Sequence, residues 1–272
     1  MGPFPYDAPR SKITADNPAG TDSFRFVEFI ETNPDRLRTV FTAMGYNKTA
    51  KQKTKAIELW QQGDITYVLT AEPDGFAAQF AAAHGPCAPS MGWRAVDAHQ
   101  AFDHAVSQRA EPYLGADCSF DMLAIKGIGG SLLYFVTYDG CSDPYAAEFV
   151  RLRPDRLQGV GFQYLDHLAH NVFKGNMDRW SRFFTDLFNF REIGFFKIDG
   201  KFTGLISRAL TSPCGRIRIP INEDRGETGQ IVNYLKRYNG EGIQHIAVGT
   251  KDLYGATDQI AVNGVQPQSG LL

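Results

Sequence analysis

Two stretches decide how this chain is read, QYLDHLAHNV at residues 163–172 and GIQHIAVG at residues 242–249. Each is a short, largely apolar run with a histidine inside it, and each leads into a helical pattern. After the first, Asn176 stands where a helix cap belongs, and MDRWSRFFTDLF places Trp180, Phe183, Phe184, Leu187 and Phe188 on one stripe. Strand-like runs follow at GFFKID, GLISRAL and RIRIPIN. After the second, Asp252 opens the helical segment DLYGATDQIAVNG, and the sequence given ends at Leu272.

The same order recurs towards the N-terminus. FRFVEFI reads as a strand, Asn33-Pro34 opens a helix with Leu37, Val40, Phe41 and Met44 at i, i+3, i+4 and i+7, and Gly45 suits a left-handed end. AIELWQQGD and ITYVLTAE are strand-like runs joined through Gly63-Asp64. From Met91, MGWRAVDA begins a further copy, with Asp97 capping a helix that carries Ala98, Ala101, Phe102 and Ala105, and strands at DMLAIKGI and SLLYFVTY. Units starting near residues 24, 91, 162 and 242 repeat at about 70 residues, longer than solenoid periods.

The expected fold class is therefore α+β, tandem βαβββ modules forming two half-open sheet barrels, with the fourth module incomplete. Residues 1–20, rich in Pro, Gly, Asp and Ser without periodicity, are expected to be a mobile leader. Residues 21–142 should form an N-terminal domain, 143–160 a linker and 161–272 a C-terminal domain carrying the site. An unfinished module would expose a sheet edge.

Composition narrows the function. With 28 Lys+Arg against 30 Asp+Glu and no run of one sign, nucleic acid and acidic membranes are not expected partners. No apolar stretch approaches the roughly 20 residues that span a bilayer, and the first residues lack the apolar centre of a signal peptide, so a cytoplasmic location is expected. Cys87, Cys118, Cys141 and Cys214 form no CxxC pair and are read as reduced. A small molecule is the expected partner, and self-association is left open.

Of the six histidines, His84, His99 and His104 fall in loop or helix-surface contexts and read as solvated. His167 and His245, each in the first strand of its module, are different, because burying an unpaired imidazole is costly. Strand alternation puts His167 on one face with Leu165, Ala169 and Asn171, and His170 on the other; His245 shares its face with Ile243 and Ala247. Two modules related by a pseudo-twofold would bring together imidazoles 78 residues apart. Two satisfied core histidines remain the alternative. Aligning the halves places Glu28 near His167 and Ala95 opposite His245, so the N-terminal domain is expected to keep the scaffold without the site. Two imidazoles and one carboxylate would be the ligand set of non-haem iron(II) oxygenases.

YLDHLAHNV, RIPINE and the Gly-Ile-Gln-His-Ile-Ala run, in this order and spacing, resemble marker segments of the 4-hydroxyphenylpyruvate dioxygenases in the vicinal oxygen chelate superfamily, over about Phe24 to Gly264. The resemblance implies Fe(II) as cofactor, with His167 and His245 as ligands, His170 structural, and a third ligand, a glutamate, beyond Leu272. It implies a substrate pocket of Ser207, Pro220, Asn222, Gln230 and Gln244. Alternation in RIRIPIN agrees in part, since Ile217, Ile219 and Ile221 take one face and leave Arg218, Pro220 and Asn222 on the other. By alternation alone, Gln244 should point away from His245.

The reaction so implied converts 4-hydroxyphenylpyruvate, an aromatic 2-oxo acid, and O2 to homogentisate and CO2 in tyrosine and phenylalanine breakdown. Hydroxymandelate synthase, which hydroxylates the benzylic carbon of the same substrate, is the nearest alternative. A glyoxalase or extradiol dioxygenase relative is a further one. A third is a catalytically incomplete fragment retaining the fold, with little or no turnover because the carboxylate ligand is absent.

Overall fold

The computed structural model describes residues 8–138, 143–152, 159–199 and 204–266. The first repeat comprises β1 (Thr21–Ile30), α1 (Pro34–Ala43), β2 (Asn47–Gln52), β3 (Ile57–Gln62) and β4 (Ile65–Thr70). Helix α2 (Gly75–His84) leads into the second, made of β5 (Cys87–Ala95), α3 (Ala98–Ser107), β6 (Pro112–Tyr113), β7 (Ala124–Lys126) and β8 (Leu132–Thr137). After β9 (Phe149–Arg151), the third has β10 (Phe162–Val172), α4 (Met177–Phe188), β11 (Arg191–Asp199), β12 (Gly204–Thr211) and β13 (Arg218–Asp224). Helix α5 (Gln230–Tyr238) joins it to β14 (Gly242–Thr250) and α6 (Leu253–Val262).

Two open sheets result, ordered β6-β7-β8-β5-β1-β4-β3-β2-β9 and β11-β12-β13-β10-β14. Each is built around the first strands of two repeats, β1 against β5 and β10 against β14, both antiparallel. In each sheet the first strand also pairs in parallel with the last strand of its own repeat, β1 with β4 and β10 with β13. This is the expected modular α+β fold, with β14 at a sheet edge.

Local chemistry starts the helices. Asn33, Asp97 and Asp252 each accept a backbone N–H of the first turn, from Asp35 at 3.2 Å, Gln100 at 3.1 Å and Gly255 at 2.9 Å. Asn176 departs from expectation, because its Nδ2 donates to Glu241 at 2.7 Å and its side chain caps nothing. Glu241 also takes Trp180 Nε1, tying the start of α4 to the turn before β14. Gly45 has φ +81, as its end-of-helix place required. Strand β2 and helix α2 lie in stretches too polar or too uniformly small to carry a period.

One apolar core runs through both halves. Phe24, Val27, Trp60 and Trp93 share it with Leu168, Trp180, Phe184, Ile219 and Ile221. Trp93 lies parallel to Phe190 at 5.3 Å. Ile217, Ile219 and Ile221 are fully buried on the helix side of β13, which fixes the opposite face as the site face. A second cluster, with Phe26, Phe120 and Tyr134, packs within the N-terminal half.

Three boundaries differ from expectation. Residues 8–20 are tied down, since Arg216 donates to Ala8 O at 2.9 Å and Asp22 O at 2.7 Å, and buried Asn17 brackets Thr21. β5 begins four residues before Met91. β9, inside the expected 143–160 linker, pairs with β2. Cys87, Cys118 and Cys214 are free thiols, and Cys141 lies outside the described residues.

Candidate metal centre

The centre is a product of register. Along β10 and β14, Leu165 pairs with Val248 but His167 with Ala247, and Ala169 pairs with His245 but His170 with Ile243. Each strand therefore carries an extra residue directly before its histidine, Asp166 on β10 and Gln244 on β14, and β10 carries a further one at Gln163. A bulge re-aims a side chain that regular alternation would send to the opposite face.

Consequently both extra residues reach the ring beside them. His167 Nδ1 donates to Asp166 Oδ2 at 2.7 Å, and His245 Nδ1 to Gln244 Oε1 at 2.5 Å. A carboxylate can only accept, so Nδ1 of His167 holds the proton and the lone pair lies on Nε2. At His245 the partner is an amide, which accepts the Nδ1 proton through Oε1 in this orientation. The two Nε2 atoms stand 3.4 Å apart, with ring centroids at 5.4 Å and planes at 80°. Neighbouring nitrogen ligands about 2.1 Å from one metal lie roughly 3.0–3.4 Å apart, so this donor pair fits a bound ion.

The electrostatics agree with that use. Burial first, and the neighbouring His167 second, lower the pKa of His245, which favours the neutral imidazole a metal needs. Asp166 in turn accepts from Arg218 Nη1 at 3.1 Å, and the Arg218 side chain is 7% exposed. Among the described residues no group of three or more His, Cys, Asp or Glu side chains is disposed to hold a metal. The donors on hand are the two imidazoles.

Beside them the site face of the smaller sheet forms ordered rows. Ser207 pairs with Asn222, and Asn222 with Asn171, so three polar side chains cross β12, β13 and β10, with Asn222 Nδ2 donating to Asn171 Oδ1 at 3.3 Å. In the next row Ala209 pairs with Pro220 and Ala169 with His245. Ser207, Pro220 and Asn222 therefore share the histidines' face. Gln230, the first residue of α5, is exposed and no hydrogen bond links it to the pair among the described residues. A 320 Å³ pocket bordered by Gln244 and His245 opens on the other side, towards Phe29, Leu37 and Cys87.

Four expectations are corrected. Gln244 does not point away from His245, because it is the bulged residue. Leu165 does not share a face with His167; it joins Leu168 and Val172 in the core, and the bulge separates them. The bulge pattern of β1 and β5 matches that of β10 and β14, which puts Phe26, opposite Gly92, in the slot of His167 and Ser90, opposite Glu28, in the slot of His245. Glu28 and Ala95 do not hold those slots. Glu28 is fully buried and takes the hydroxyls of Thr70 at 2.6 Å, Ser90 at 2.5 Å and Ser119. Finally, His84 is not a solvated side chain; its Nδ1 donates to Tyr238 O at 2.9 Å, and its ring lies on Tyr238.

His170 takes the opposite face as expected, fully buried, with Nδ1 donating to Leu168 O at 3.1 Å. Asp166, Arg218 and Asn171 were not singled out from sequence. Alternation places Asn171 and Arg218 on the site face without giving them a role; Asp166 could not be placed there, because its aim depends on the bulge.

Residues 15–150 match the family described as hydroxyphenylpyruvate dioxygenase, N-terminal, and residues 164–271 match the glyoxalase/bleomycin resistance protein/dioxygenase superfamily. A 4-hydroxyphenylpyruvate dioxygenase of Pseudomonas aeruginosa is 47% identical, over 94% of this chain and 74% of its own length. One from Legionella pneumophila is 42% identical, over 92% of this chain and 72% of its own. Among solved structures, a variant of 4-hydroxymandelate synthase from Streptomyces coelicolor superposes with a TM-score of 0.78 at 19% identity, over 90% of this chain and 76% of that one, a likeness of fold.

Proposed function

The chain belongs to the 4-hydroxyphenylpyruvate dioxygenase family, and from that premise we propose that it serves the conversion of 4-hydroxyphenylpyruvate and O2 to homogentisate and CO2, with Fe(II) as the metal, in tyrosine and phenylalanine breakdown. The observation that carries the reading is the pair of Nε2 atoms at 3.4 Å, each with its Nδ1 already engaged. His167 and His245 would hold the iron. When bound, the metal supplies a Lewis-acidic, redox-active centre that activates dioxygen and orients the 2-oxo acid.

The chain's own residues bind and aim the substrate. Ser207, Asn222 and Asn171 offer donors and acceptors in one row, suited to a neutral phenol or to the side-chain oxygens, with Pro220 in the row beside them. Gln244, a substrate contact by the family resemblance, is here the hydrogen-bond partner of His245. Gln230 would reach the site only from the start of α5. Holding the ring at a fixed distance from the metal is the protein's main contribution, since orientation sets which carbon is hydroxylated.

The test is oxygen uptake by the Fe(II)-loaded protein with 4-hydroxyphenylpyruvate, the product being identified by mass spectrometry. Homogentisate supports the proposal. 4-Hydroxymandelate would move the chain to the neighbouring activity, and metal and substrate binding without uptake would mark a chain that keeps the fold and binds without turning over.

A further inference from the structure

Asp166 is a charged residue at the centre whose place needs explaining. Its side chain is 22% exposed and that of its partner Arg218 is 7% exposed. Shielded ion pairs are retained where removing one partner would strand the other, and they add little stability for their desolvation cost. Stability alone therefore accounts poorly for this one.

Geometry gives it another use. One carboxylate oxygen takes His167 Nδ1 at 2.7 Å and the other takes Arg218 Nη1 at 3.1 Å, so Arg218 fixes the carboxylate and the carboxylate fixes the ring. We propose that Asp166, held by Arg218, is a positioning residue that locks His167 as its Nδ1–H tautomer, with Nε2 aimed at the point it shares with His245. The bulge is the device that makes this possible, since residues 166 and 167 would otherwise face opposite sides of the sheet. Because Arg218 offsets its charge, Asp166 orients the ligand while adding no net charge to the centre. His245 has a neutral counterpart in Gln244, whose amide accepts the Nδ1 proton but, turned over, could also donate to it. The lock is thus one-sided, firm at His167 and permissive at His245.

The inference rests on the reading of these histidines as metal ligands, and its test separates the two. In metal-free protein carrying isotope-labelled histidine, nitrogen NMR reports which ring nitrogen is protonated. Wild type should show His167 wholly as Nδ1–H. Asp166→Asn, nearly the same in shape but able to donate as well as accept, should populate the Nε2–H form of His167 and leave His245 unchanged. Its Kd for Co(II), measured by titration, should rise about 10–100-fold, the usual cost of losing an outer-shell partner.

Arg218→Lys, which keeps the charge and loses the planar fork, should move both readouts the same way by less, and it carries the test should Asp166→Asn fold poorly. A His167 tautomer unchanged in these variants, with Co(II) affinity within about twofold of wild type, overturns the proposal. A locked tautomer that Asp166→Asn releases, in a protein that forms no homogentisate, leaves the positioning role standing and sinks the dioxygenase reading instead.

Discussion

At the residue scale, function depends on where two imidazoles point. If His245 is a direct ligand, as proposed, replacing it with alanine should weaken Co(II) binding by more than the roughly 10–100-fold that an outer-shell loss costs; metal titration of the folded variant checks this. His170, on the far side of the same strand, has a different consequence. Burial lowers its pKa to about 4 from the ordinary 6.5. Between those values the unfolded chain takes up a proton that the folded chain refuses, so stability falls as pH drops through this window, by about 3 kcal/mol in all, and the loss is absent above pH 6.5. His170→Gln, which keeps a donor for Leu168 O and cannot titrate, should flatten that slope. Urea midpoints at pH 7 and 4.5 would show it, and an equal slope in both proteins would refute the assignment. His167 and His245 were legible in sequence because each interrupts an apolar strand at the same place in its repeat. Asp166 was not, since strand periodicity assigns it to the wrong face.

At the scale of elements, the clearest surprise is the contact between α2 and the end of α5. His84 stacks on Tyr238 at 4.8 Å and lies tilted against Phe80 at 4.2 Å, and Asn239 donates to Ala83 O at 3.2 Å. This joins the N-terminal half to the helix whose first residue is Gln230. His84→Ala should cost about 1–2 kcal/mol, the sum of one modest hydrogen bond and a ring contact, read as a lower denaturant midpoint with unchanged slope. Neither α2 nor the contact was visible in GFAAQFAAAH, where alanines give no distinct face. The strands and helices that carry strong periods, β10, β13, β14 and α4, were legible, as were the caps at Asn33, Asp97 and Asp252. Asn176 failed as a cap because Glu241, 65 residues away, offers it a stronger acceptor.

At the scale of the molecule, the two sheets share one core, so the halves should not unfold independently. Trp93, fully buried and packed on Phe188 and Phe190, sits where they meet. Trp93→Ala should cost about 3–5 kcal/mol and lower a single transition followed alike by far-ultraviolet dichroism and tyrosine fluorescence. Two separated transitions would show the shared core to be energetically divided. Gly63 marks the same junction. Its φ is +57, and a Cβ there would meet Phe162 O at 2.7 Å, so the β3–β4 turn can rest against β10 only as glycine.

The sequence by itself determined the repeat, the α+β class, the two histidines and the apolar face of β13, because each is a matter of local period and of position within a repeated unit. Tertiary structure alone decided the rest. It set the slots that Phe26 and Ser90 hold in the N-terminal half, the partnership of Gln244 with His245, and the Arg218–Asp166–His167 chain. The physical reason is the bulge. The extra residue directly before each histidine reverses the facing that alternation assigns, and pairing register is a property of two strands together.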